Sequence, residues 1–171
     1  MLYFYTMKSM RLLCLAALGL WSVLACKPTV SVETNTNTET TTSIAFDSLL
    51  AQKLGADEYG MKHYVMAFLK AGPNRDQDSV TAAQIQKAHM DNINRLADEG
   101  KLVVAGPFED RGELRGIYVF NVATLEEAKA LTETDPAVKA GRLIMELHPW
   151  YGSAALMQVT ETHKRLSKKH F

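Results

Sequence analysis

The sequence has 171 residues, with nineteen Lys plus Arg against nineteen Asp plus Glu, so its formal charge is zero. That balance excludes a generic nucleic-acid binder, which carries a strong basic excess. A hydrophobic fraction of 47% suits a globular chain and not a polytopic membrane protein, and five His and two Cys exclude a Cys-rich zinc module or a disulfide scaffold.

The first 25 residues read as a targeting segment. Lys8 and Arg11 supply a small positive region, and residues 12–25 form a fourteen-residue apolar run. That is a signal-peptide length, too short for a comfortable membrane span. The run ends Val23-Leu24-Ala25-Cys26. A small residue before a Cys at this point resembles the bacterial lipobox, in which the Cys thiol is acylated and becomes the mature N-terminus. Leu24 stands where a small or β-branched residue is commoner, and an ordinary signal peptide with a chance Cys is the plainer alternative. Met7-Lys8 offers a second possible start. The expectation is a lipoprotein of the bacterial cell envelope, lipidated at Cys26 and anchored to a membrane. Cleavage before Cys26 would remove Lys8 and Arg11 and leave seventeen basic against nineteen acidic residues, a net of −2. The acyl chains would then do the holding, and more than one is needed for a stable anchor.

With Cys26, residues 26–43 make an acylated, Thr-rich tether. Thr29, Thr34, Thr36, Thr38, Thr40, Thr41 and Thr42 alternate with Asn, Glu, Ser and Val and leave little to bury. Residues 44–61 are expected to form a short helical extension, with Ile44, Phe46, Leu49, Leu50 and Leu54 on one side and Gly55 ending it.

From residue 62 the pattern alternates. A strand over 63–70 is broken at Ala71-Gly72-Pro73-Asn74. Ser79 is expected to cap a helix running to Glu99, which Gly100 stops. Strands over 101–105 and 115–122 are joined through Asp110-Arg111-Gly112. Thr124 and Glu127 form a capping box for a helix to Thr132. Asp135-Pro136 opens a short turn that Gly141 closes, and a last strand covers 142–150. Residues 153–171 read as a C-terminal helix. The order β-α-β-β-α-β over residues 62–152 is the ferredoxin-like arrangement, an α+β fold with helices on one face of an antiparallel sheet. The strands are apolar on both faces, so the face opposite the helices is expected to pair with a second copy, as a homodimer.

Within this domain the first helix places Ala82, Ile85, His89, Ile93 and Leu96 at spacings of three and four. His89 therefore sits mid-stripe on the buried face. An unpartnered buried imidazole costs on the order of 1–3 kcal/mol, so a polar neighbour is expected. That neighbour is either a backbone carbonyl, making His89 a core histidine, or a functional partner. Asp135 has a local role as N-cap with Pro at the first helical position. A capping carboxylate can still orient an imidazole, fixing its tautomer while the imidazole moves a proton. In the last strand Arg142, Ile144, Glu146 and His148 share one face, either lining a polar cavity at a dimer seam or forming ion pairs. His63 with Asp57 or Glu58 is too loosely spaced for a metal site, and no phosphate loop or Ser or Cys nucleophile motif is present. No cofactor and no metal are expected.

Several blocks resemble the YCII-related family of dimeric ferredoxin-like proteins. They are His89; Glu99-Gly100-Lys101-Leu102 leading into Ala105-Gly106-Pro107; and the run 135–141 leading into Glu146-Leu147-His148-Pro149-Trp150. The resemblance covers roughly residues 62–152. It implies a dimeric α+β barrel with a site built on a His and an Asp, which fall on His89 and Asp135. The fold is also shared by muconolactone isomerases and by a dehalogenase of chlorinated muconolactones. Ala137 departs from the aromatic common after Asp-Pro, which implies a different or wider pocket wall. Two functions follow as expectations. One is proton transfer by His89 and Asp135 on a small organic acid or lactone, with the two side chains in hydrogen-bond reach and a cavity beside the imidazole. The other is a non-catalytic dimeric module that binds a small ligand or a protein at the membrane.

Overall fold

The computed structural model describes residues 45–110 and 112–169. The signal segment, Cys26, the Thr-rich tether and Arg111 lie outside the described residues. The elements run α1 (Ser48–Leu54), β1 (Met61–Ala71), α2 (Ser79–Asp98), β2 (Leu102–Pro107), β3 (Leu114–Phe120), α3 (Leu125–Thr132), α4 (Pro136–Lys139) and β4 (Leu143–Ser153). A 3-10 segment (Ala154–Gln158) and α5 (Val159–Leu166) follow. Among the described residues no helix is long and apolar enough to cross a membrane.

The four strands form one antiparallel sheet in the order β2-β3-β1-β4. This is the ferredoxin-like α+β fold. β1 and β4 lie at its centre and edge and pair without a break from Met61↔Ser153 to Ala71↔Leu143. Alternation along the strands sorts the side chains. Val65, Ala67, Leu69, Tyr118 and Phe120 point to the helices and meet Leu96 and Ala128 in the main core. Tyr64, Val103 and Val119 point the other way, where Leu156 and Met157 of the 3-10 segment pack on them. The chain thus covers part of its own second sheet face. Farther along that face Phe68 and Ile117 are half-buried and Ile144 is 50% exposed.

Local chemistry explains most boundaries. Asp78, not Ser79, caps α2, since its carboxylate accepts the Val80 and Thr81 amides at 2.9 Å each. Two good caps stand side by side there, and the acidic one also suits the helix dipole. The Thr124–Glu127 capping box is complete at the start of α3. The C-terminal run is a 3-10 segment before it becomes α5, whose Lys164 reaches back to Asp98 at 2.9 Å. Gly141 takes φ 68° and ends α4, and its carbonyl accepts the Asn74 amide at 3.0 Å. A Cβ on Gly72 would come within 2.1 Å of the same carbonyl. These two glycines let the backbone after α4 press against the end of β1.

Candidate active site

α2 and α4 face each other over the sheet, and each contributes one buried polar side chain. His89 is 8% exposed and Asp135 1%. Asp135 lies there because it is the N-cap of α4, with its Oδ1 accepting the Ala137 amide at 2.8 Å. The same carboxylate meets His89: Nδ1 is 2.8 Å from Oδ2 and 3.0 Å from Oδ1. A carboxylate accepts only, so Nδ1 carries the proton and donates it, which leaves the Nε2 lone pair available. The cap and the pairing are therefore one carboxylate serving two donors.

Nε2 faces Tyr118 on β3, with the phenol oxygen 3.4 Å away and the two rings stacked at 6.3 Å between centroids. Tyr118 is 2% exposed. Burial, with the negative charge of Asp135 added, raises its ionisation well above the usual tyrosine range. It stays a phenol and donates toward Nε2. The array is a chain from Asp135 through His89 to Tyr118.

A second polar group holds the turn that presents Asp135. Asn92, one helical turn beyond His89, is buried at 8% exposure. Arg95 donates to Asn92 Oδ1 at 2.8 Å and to Thr134 Oγ1 at 3.1 Å. Thr134 is the residue before Asp135, so this bridge fixes the α3–α4 turn against α2. Tyr118 and Asn92 are not among the sequence-derived candidates. Tyr118 carried a signal: it lies on the inward row with Gly116 and Phe120, a hydroxyl in an otherwise apolar row.

The other candidates sort plainly. Glu146 bridges Lys70, in an ion pair, and His148, whose Nε2 is 2.8 Å from Oε1. These contacts, Lys70 first, hold the Glu146 carboxyl below the usual range. Arg142 leaves that row and donates to Gln77 in the loop before α2. His63 packs on Tyr151, whose hydroxyl donates to Asp57. Among the described residues no group of three His, Cys, Asp or Glu is arranged to hold a metal. Away from the pair, one surface depression among the described residues runs along Ser79, Val80, Ala83, Gln84 and Lys87 of α2, and another lies between Gly55, Lys62 and Asn121.

The YCII-related domain matches residues 64–151, just over half of the chain and all four strands in whole or part. No curated protein matches it. Among solved structures, 5-chloro-2-hydroxyhydroquinone dehydrochlorinase from Burkholderia phenoliruptrix AC1100, in complex with 2,5-dihydroxybenzoquinone, is similar at 19% identity. The match covers 50% of this chain and 92% of that one, with a TM-score of 0.39.

Proposed function

This chain belongs to the YCII-related domain family, and we propose that it uses His89 and Asp135 to move a proton on a small organic acid or lactone, by isomerisation or elimination. One observation carries the reading: Nδ1 is held as a donor to a buried carboxylate, so Nε2 is left as the base. A base so placed takes a proton from a carbon next to a carbonyl and returns it elsewhere, or the leaving group departs. Asp135 stabilises the imidazolium that forms, without taking the proton itself. The Tyr118 hydroxyl then turns from donating to Nε2 to accepting from it. The test is a panel of small carboxylic acids and lactones, scored for thermal shift and for deuterium uptake from solvent. Deuterium uptake or product formation that depends on His89 supports the reading, and binding with neither exchange nor conversion at any pH overturns it. A second reading, a non-catalytic module for a small ligand or a protein, is favoured by the deep burial of the pair, which suits a structural contact.

The proposal includes a homodimer through the sheet face opposite the helices. It is supported by the apolar stretch of Phe68, Ile117 and Ile144 beside opposite charges on Lys70 and Glu146, a self-complementary pattern suited to a two-fold interface. Ile144→Asp is expected to weaken self-association on the order of a hundredfold, because desolvating a carboxylate at an apolar interface costs a few kcal/mol. Sedimentation velocity checks this, and an unmodified chain that remains monomeric at micromolar concentration refutes the dimer.

It also includes an anchor in a bacterial envelope membrane through Cys26. Cys26→Ser is expected to move the protein from the detergent-requiring membrane fraction to the soluble one. Intact mass of the wild-type protein gives the check, since an unacylated Cys26 refutes the anchor.

A further inference from the structure

The most exposed large apolar side chains are not scattered. Phe46 is 80% exposed, Leu49 77% and Tyr59 77%; of the described residues only Leu166, at 76%, is comparable. Three of these four thus fall within fourteen positions, at the start of the described chain. α1 explains part of the pattern. It packs on the 3-10 segment, and there Ala51 and Leu54 are half-buried. Leu49 and Lys53, four residues apart, share the outward side, with Phe46 one turn earlier. A seven-residue surface helix with one apolar side packed on its own domain has no folding reason for a second.

Two carboxylates around this patch are turned to partners within the domain. Asp47 turns its carboxylate back to cap α1, accepting the Leu50 amide at 2.9 Å. Asp57 accepts the Tyr59 and Met61 amides at 2.9 Å each, together with the Tyr151 hydroxyl. Outward lie Phe46, Leu49 and Tyr59 with a flexible Lys53, residue types that settle at the boundary of acyl chains and headgroups, bordered by the exposed polar Gln52 and Glu58.

We propose that the outward side of α1 and the 57–60 turn, carrying Phe46, Leu49, Lys53 and Tyr59, is a lipid-facing surface that rests on a phospholipid bilayer. The proposal rests on the anchoring reading, and chain length favours this occupant over others. Phe46 stands only twenty positions after Cys26. However it is arranged, a chain of that length reaches no farther than about 70 Å. A chain fastened at Cys26 therefore keeps this patch close to the membrane, so a few apolar side chains suffice to dock it. Docking would fix which side of the domain faces the bilayer and leave the α2–α4 side to be set by that orientation.

Hydrogen exchange tests this on the full chain, purified in detergent and reconstituted into vesicles of phosphatidylethanolamine and phosphatidylglycerol. Amides of residues 48–60 are expected to slow about tenfold in vesicles relative to the detergent-free protein. The Phe46→Ser/Leu49→Ser variant should lose that slowing while the rest of the domain exchanges as before. A lipid-bearing chain whose residues 48–60 exchange alike with and without vesicles overturns the proposal. So does slowing that needs no vesicles and grows with protein concentration, which would make the occupant a second copy. The mass of the Cys26 peptide in the same sample reads the anchor separately. If it carries no lipid, the unanchored chain is added to the same vesicles at millimolar lipid, and absence of slowing there also overturns the proposal.

Discussion

His89→Asn is expected to lower turnover by roughly 10²–10⁴-fold, the usual worth of a positioned general base, with little loss of stability. An Asn amide can still donate toward the Asp135 carboxylate that now accepts from Nδ1 at 2.8 Å, so the buried acceptor keeps a partner. What disappears is the Nε2 lone pair, and with it the only site in this chain of groups that can take a proton while Asp135 stays a carboxylate. Tyr118→Phe separates two roles for the phenol. If the hydroxyl only fills space, Phe conserves the packing and turnover is unchanged. If it accepts from the imidazolium, turnover falls by about tenfold while ligand affinity changes little, a kcat effect and not a KM effect. The measurement is kcat and KM for the strongest substrate from the carboxylate and lactone panel, beside thermal unfolding of each variant. A His89→Asn protein that turns substrate over at the wild-type rate removes the proton-transfer proposal.

The fold was legible because several local signals agreed. The capping box at Thr124, the Asp-Pro at 135–136 and the glycines at 55, 100 and 141 each punctuate an element where the structure does. Where the reading slipped, two adjacent residues could do one job, as Asp78 and Ser79 can, or pairing outlasted pattern. The last strand runs on to Ser153 past Trp150, because β1 supplies ladder partners as far back as Met61. Periodicity put His89 on a buried stripe, and Asp-Pro chemistry put Asp135 at a helix start. Their 2.8 Å contact depends on the crossing of α2 and α4 over the sheet, which no local pattern encodes. The Tyr118 contact with Nε2 has the same origin, since it depends on packing between elements twenty-nine residues apart. Asn92 was hidden for a different reason: on a helix wheel it lies at the rim of the stripe, and only the Arg95–Thr134 bridge shows why a polar residue belongs there.

Asp135→Ala is expected to cost about 2–4 kcal/mol, the largest stability loss among these substitutions. Two donors lose their acceptor at once. The Ala137 amide at the start of α4 loses its cap, worth about 1 kcal/mol. The His89 Nδ1–H, in a side chain only 10% exposed, is left unsatisfied at a further cost of about 1–3 kcal/mol. Asp135→Asn should cost far less, because its side-chain carbonyl still caps and still accepts, although it no longer offers two equivalent oxygens to two donors. Its turnover should nevertheless fall, since a neutral amide gives an imidazolium no charge to lean on. The combination Asp135→Ala/His89→Asn checks the accounting. With the imidazole gone, removing the carboxylate should cost little more than the cap, so the double variant should be more stable than the sum of the single losses predicts. Denaturant unfolding of the four proteins reads this directly. Strict additivity would mean that the buried contact contributes nothing to folding and that Asp135 is held at its position by the cap alone.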